Sequence, residues 1–228
     1  MFTPGPAELD AARRTLADLV AIPSYAPPQE EAIAGFLVRR LAGQGLASRV
    51  TELEGRPLNV VAEIGSGPRG IVLNGHLDTV PPGDRALWTT DPLQPAVADG
   101  RLYGRGAGDA KGPLAAMILA FEALARRPRL PGRVILMAVG GEERGGLGTQ
   151  AEVARGVAAE AAIVGESTGL VPMIAHKGVL RLEVEVQGKA AHASDPELGA
   201  NAVTGMAPIV AALEALGHEV RTRREPYT

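Results

Sequence analysis

The chain has 228 residues, of which 46% are hydrophobic and 21% charged, the balance of a soluble globular protein with enough apolar content for a buried core. A formal net charge of −3 leaves no basic excess for nucleic acid, and no apolar run approaches the length needed to cross a bilayer. Cysteine is absent, which excludes disulfides, thiolate metal sites and cysteine nucleophiles.

The opening MFTPGPAELDAARR has no apolar core of the signal-peptide kind, so a cytoplasmic protein is expected. Residues 6–20 read as a helix with Pro6 in its first turn and an apolar stripe of Leu9, Leu16, Leu19 and Val20. After the proline-rich SYAPPQEE a second helix runs to about Leu41 and ends in AGQG. Short strands are expected around 46–53 and 58–64, followed by the continuous apolar run IVLNG, typical of a strand covered on both faces. Residues 81–101 are loop-rich, with Trp88 as their anchor. LAAMILAFEALARR is a helix with Pro113 in its first turn, and VILMAVG and AAIVG complete a parallel-strand signature. Strands alternating with helices predict an α/β domain of three layers with a mostly parallel sheet.

The pattern changes after Lys177. In VLRLEVEV, Leu180, Leu182, Val184 and Val186 alternate with Arg181, Glu183 and Glu185, as in a strand with one wet face. The loop GKAAHASDPELG and a helix from Asn201 to about Leu216 follow, and the closing VRTRREPYT reads as a solvated basic tail. The expected domains are therefore 1–177 and 178–228. The second has one strand and one helix, too little to bury a core, so it reads as an incomplete α+β unit.

Three of the apolar strands run straight into metal-type ligands: IVLNG into His76-Leu77-Asp78, VILMAVGG into Glu142-Glu143, and AAIVG into Glu166. A fourth acid, Asp109, lies in the glycine-rich GRGAGDAKG. Ligand sites in open α/β sheets form beyond the carboxyl ends of the strands, so these residues are expected to share one cation site. An imidazole that binds metal through one nitrogen donates its other N–H to a carboxylate that fixes ring orientation, a division that His-x-Asp suits with Asp78 as that carboxylate. A strand-end His capped by a turn Asp fits the same spacing. Two adjacent acids flanked by glycines repel without a cation; an exposed acidic turn is the alternative. A carboxylate in such a loop can bridge two cations, and an Asp that starts the helix near Pro113 is the alternative for Asp109. One imidazole with several carboxylates suits zinc, cobalt or manganese.

In order and context HLDTVPPG, GRGAGDAKGPLAAM, GGEERGG, VGES and AAHASDPELGANAV resemble the dizinc deacylase and carboxypeptidase family, of the acetylornithine deacetylase, succinyl-diaminopimelate desuccinylase, aminoacylase and glutamate carboxypeptidase type. The resemblance covers essentially the whole chain. It implies that His76, Asp109 and Glu166 bind one zinc and that Asp109 bridges to a second zinc held also by Glu143. It further implies Glu142 as general base, Asp78 as the group orienting His76, His192 as an oxyanion donor acting across a dimer interface, and Asn201 as a substrate contact. A cis Asp109–Ala110 peptide is part of the same pattern. The implied reaction is hydrolysis of the amide bond of an N-acyl amino acid or small peptide, in a homodimer with no nucleic-acid or membrane partner. Residues 178–228 then belong to a lid or dimerisation domain.

Family members return from that lid to the catalytic domain and supply a terminal His ligand. This chain stops at Thr228, inside the lid, and neither His176 in the hinge-like HKG segment nor His218 matches that ligand. The expectation is a C-terminally truncated chain with one intact three-ligand site, an incomplete second site, exposed apolar surface and impaired activity. Two other readings compete. Gly165-Glu166-Ser167-Thr168-Gly169 formally matches a serine-hydrolase elbow, although Gly169-Leu170-Val171-Pro172 is a poor helix start. A non-catalytic fragment is the other. GRGAGDAKG is not a P-loop, because Ala110 precedes Lys111 and no Ser or Thr follows.

Overall fold

A computed structural model describes residues 4–53 and 55–223. Part of the basic tail, 224–228, lies outside the described residues. The chain separates into two compact units between Gly169 and Leu170, so the HKG segment expected near the crossing falls within the second.

In the first unit α1 (Pro6–Ala21) and α2 (Pro27–Gly43) both start on proline, whose missing N–H is no loss in a first turn. Helix α1 buries Leu19 and Val20, while Leu9 is exposed, so its apolar stripe is shorter than the sequence suggests. Helix α2 buries Ile33, Ala34, Leu37 and Leu41, which recur at helical spacing. Strands β1 (Ser48–Leu53), β2 (Arg56–Ile64) and β3 (Gly70–His76) follow. The 81–101 region then forms a loop closed by the hairpin β4 (Ala96–Ala98) and β5 (Arg101–Tyr103). Trp88 anchors that loop: its Nε1 donates to Pro82 O at 2.8 Å and the Arg105 guanidinium stacks 5.0 Å above its ring.

Helix α3 (Gly112–Ala125), β6 (Arg133–Val139), α4 (Leu147–Ala154) and β7 (Ala161–Val164) complete the unit. The sheet order is β1-β2-β6-β3-β7. β3 pairs parallel with both β6 and β7, whereas β2 pairs antiparallel with β6 and β1. Four of the five strands thus run in one direction, with β2 alone opposed, which is the expected α/β class. Alternation along β6 divides the core. Val134, Leu136 and Ala138 pack with residues of α1, α2 and α3, and Ile135, Met137 and Val139 pack on the other face with Val61 and Val72. Between α2 and α3, Arg40 makes a two-pronged ion pair with buried Glu122 at 2.7 and 3.0 Å.

The second unit departs from expectation. VLRLEVEV carries no sheet ladder; among the described residues of this unit the only bridge joins Lys189 and Ala200. A strand needs a neighbour to satisfy its N–H and C=O groups, and alternation alone supplies none. Helix α5 (Ala202–Thr222) runs longer than expected and is capped by Asn201, whose Oδ1 accepts from Val203 N at 2.9 Å and Thr204 N at 3.2 Å. Leu180, Leu182, Val203, Val210 and Leu213 are exposed.

Leu136, fully buried at the centre of β6, is a test of this core. Leu136→Ala is expected to lower stability to urea by about 2–5 kcal/mol. Exposed Leu9→Ala should stay within about 0.5 kcal/mol of the parent, and equal effects at both positions contradict the packing described.

Candidate metal centre

The parallel register aligns His76 on β3 with Val139 on β6, and Asn74 on β3 with Val164 on β7. The chain leaving β6 immediately carries Glu142 and Glu143, and the chain leaving β7 carries Glu166. Three acids and an imidazole therefore meet at one sheet edge. Asp109 arrives separately, on the tight turn between β5 and α3. Gly106 starts that turn at φ +79°, where an added Cβ would lie 2.5 Å from the Thr79 side chain, so only glycine fits. The Asp109–Ala110 peptide within it is cis.

His76 is 2% exposed. Its Nε2 lies 3.2 Å from Asp109 Oδ1 and 3.9 Å from Glu166 Oε1. Ligand-type atoms of His76, Glu142 and Glu166 all lie within 4.8 Å of one another. Its Nδ1 stands 2.9 Å from the main-chain carbonyl of Asp78, which orients the ring, while the Asp78 carboxylate is 3.7 Å away. The carboxylate–imidazole hydrogen bond expected from His-x-Asp is thus replaced by a carbonyl. The Asp78 carboxylate is engaged elsewhere: it accepts from Glu142 N at 3.1 Å and Glu143 N at 3.0 Å, fixing the acidic turn.

The electrostatics fit a cation. Burial pushes the Glu143 carboxyl above its ordinary range, and the Asp109 charge adds to this while His76 opposes it. Burial likewise raises Glu166, with His76 opposing and Asp109 adding. For His76 burial alone would lower the imidazole, but the Asp78 charge and carbonyl, with Glu166 and Glu142, outweigh it and raise it. Carboxylates held together against their own repulsion are what a divalent cation neutralises, and one imidazole with several carboxylates is a donor set for zinc, cobalt or manganese.

His192 and Asn201 lie in the second unit. His192 is exposed, with Nδ1 2.7 Å from Ser194 Oγ, and Asn201 caps α5. His176 is exposed and contacts the Lys177 carbonyl. Ser167 donates its hydroxyl to Gly108 O at 2.7 Å and no helix follows it, so the elbow required of a serine nucleophile is missing.

Two residues that the motifs did not single out support the site. Lys111 is 1% exposed and donates Nζ to Ile22 O at 2.8 Å, tying the Asp109 turn to the end of α1; burial brings its pKa down to about 8. Asn59 is fully buried on β2. A polar residue between Leu58 and Val60 was the one signal that the sequence offered for it. Beside it, burial alone would raise the Glu152 carboxyl, but hydrogen bonds from Thr51, Asn59 and Arg49 hold it below its ordinary value.

Residues 72–227 match peptidase family M20/M25/M40. A probable succinyl-diaminopimelate desuccinylase of Staphylococcus epidermidis is 37% identical over 83% of this chain and 47% of its own length. An acetylornithine deacetylase of Proteus mirabilis is 34% identical over 90% of this chain and 55% of its own. The chain thus spans about half the length of these relatives. A family M20 metallo-carboxypeptidase of Sulfolobus solfataricus shares the fold with a TM-score of 0.61 at 24% identity, over 68% of this chain and 37% of that one. No helix among the described residues is long and apolar enough to cross a membrane. The match to the family covers both the strand ends that converge on His76 and the second unit, and this chain belongs to peptidase family M20/M25/M40, a family of metal-dependent hydrolases.

Proposed function

We propose that this chain carries the catalytic centre of a hydrolase that cleaves the amide bond of an N-acyl amino acid or small peptide, with zinc as its metal and cobalt or manganese as substitutes. The single observation that carries the reading is the meeting of His76 Nε2 with the carboxylates of Asp109 and Glu166, 3.2 and 3.9 Å away. His76, Asp109 and Glu166 would hold one cation, and Asp109 with Glu143 would contribute to a second. A cation held there supplies Lewis acidity and makes water acidic near neutral pH.

The residues divide the remaining work. Glu142 takes a proton from the attacking water and returns it to the leaving amine nitrogen. Its carboxylate lies within the same 4.8 Å span as the His76 and Glu166 ligand atoms, close enough to meet a nucleophile beside them. Asp78 holds the main-chain amides of both glutamates and the orientation of His76. His192 donates to the developing oxyanion across the dimer interface and Asn201 contacts substrate, both from residues 178–228 as a lid and dimerisation domain. The same reading makes residues 1–177 the catalytic domain and the protein a cytoplasmic homodimer that acts on small molecules, not on nucleic acid or membranes. The relatives named for desuccinylation and deacetylation support an acylated amino acid as substrate.

Three outcomes test this. Calorimetric titration of the His76→Ala, Asp109→Ala double variant with Zn2+ is expected to show no binding at this centre; a parent-like stoichiometry and affinity overturns the ligand assignment. Glu142→Gln is expected to lower hydrolysis of N-acetyl and N-succinyl amino acids by about 10²–10⁴-fold while metal content is unchanged. Retained activity in that variant removes Glu142 from the role of base.

The third outcome concerns pH. Glu143, Glu166 and His76 all have folded pKa values raised above their ordinary ones, so the native state binds more protons than the unfolded chain between the ordinary and raised values. Without metal, the cluster's contribution to stability is therefore present at low pH and lost as pH rises through the raised values. Metal binding requires the deprotonated ligands and reverses the trend. Urea titrations over this range, with chelator and with Zn2+, are expected to show opposite pH slopes in the parent and a weaker difference in Glu166→Gln; indistinguishable slopes contradict the electrostatics of the cluster.

A further inference from the structure

Asn59 lies beyond the β2–β6 ladder, which begins at Val60 and Ala138, and so stands beside the chain as it leaves β6. Its side chain is fully buried and makes three hydrogen bonds. Oδ1 accepts from Gly140 N at 3.1 Å, and Nδ2 donates to Gly148 O at 3.2 Å and to Glu152 Oε1 at 3.0 Å. The amide cannot be reversed without turning its oxygen onto two other oxygens, so its orientation is set by its partners.

Gly140 and Gly148 bound the segment that carries Glu142 and Glu143. They touch: a Cβ at Gly148 would stand 2.2 Å from Gly140 O and 2.7 Å from Asn59 Oδ1. Within the loop, Glu142 O accepts from Gly145 N and Gly146 N at 2.8 and 2.9 Å. Glu152 is itself fully buried and held by the Thr51 hydroxyl, by Arg49 at 2.9 Å and by Arg155 at 3.1 Å. Arg144, 3.5 Å from Glu30, and Gln150, whose Nε2 donates to Gly145 O at 2.8 Å, also hold the loop, but two other holds concern the glutamates most directly. Asp78 holds the amides of the two glutamates at its tip, and Asn59 closes its neck on a braced support.

We propose that Asn59 is a positioning residue for Glu142 and Glu143. It closes the neck of the 140–148 loop and so sets where the two carboxylates stand relative to His76. This rests on the reading of Glu142 as base and Glu143 as ligand, but the geometry of the clamp does not. Removing the amide leaves the Gly140 N–H, the Gly148 carbonyl and a Glu152 oxygen each short of a partner, and the loop opens.

The test compares the parent with Asn59→Ala and with Gly148→Ala, the latter forcing the neck apart with Asn59 in place. Amide hydrogen exchange at Glu142 and Glu143 is expected to accelerate about tenfold or more in both variants, while the β6 interior exchanges as in the parent. In the metal-loaded protein kcat is expected to fall about 10–100-fold, the range for groups that support ligands and bases from behind, with KM within about twofold. If Asn59→Ala does not fold, Gly148→Ala carries both readouts. A parent that hydrolyses no substrate overturns the functional reading alone, and the exchange comparison still decides the clamp. Parent-like exchange at Glu142 and Glu143, or parent-like kcat in an active protein, overturns the proposal.

Discussion

Parallel pairing of β3 with both β6 and β7 is the constraint on which the site depends. It aligns the carboxyl ends of three strands, and His76, the Glu142-Glu143 turn and Glu166 all follow from where those strands stop. A shift of one residue in either pairing would turn the side chains of the shifted strand to the opposite face and displace its candidate ligand from the others. The alternation of β6, with Leu136 facing the helices and Met137 facing away, secures that register, so the hydrophobic core and the candidate metal centre are set by the same contacts.

The second organising feature is electrostatic. Asp109, Glu143 and Glu166 crowd a buried imidazole, and two of these carboxyls are raised above their ordinary range. An arrangement of this kind is unfavourable without a cation and favourable with one, so affinity for metal and resistance to unfolding are linked through the same groups. The supports are polar and sit behind the acids: the Asp78 carboxylate on the turn amides, Lys111 under the Asp109 turn, and Asn59 at the neck of the 140–148 loop. Each spends polar atoms on the main chain, Asn59 also on the Glu152 carboxylate, and so holds the backbone that carries the acids.

Much of this was legible in the sequence because it depends on local order. Apolar runs ending in His76, Glu142 and Glu166 identify strands and the candidate ligands at their ends together, and the family resemblance identified the cis Asp109–Ala110 peptide. What was not legible depends on tertiary neighbours. His-x-Asp spacing does not distinguish a carboxylate from a carbonyl as the partner of His76, and the carbonyl won because the carboxylate had two amides to satisfy. Alternation in VLRLEVEV describes a strand's faces but supplies no partner for its backbone, and no ladder forms. Asn59 is a single polar letter in an apolar strand, and only the fold shows that it reaches a loop 81 residues away.

The central claim is that His76 and the acids between positions 78 and 166 surround divalent cations. Crystals grown with Zn2+ and measured across the zinc absorption edge test it most directly. The expected result is an anomalous peak within bonding distance of His76 Nε2 and of carboxylate oxygens from Asp109 and Glu166. Peaks confined to other surfaces, with His76 keeping its contact to Asp109 and no cation between them, would contradict it.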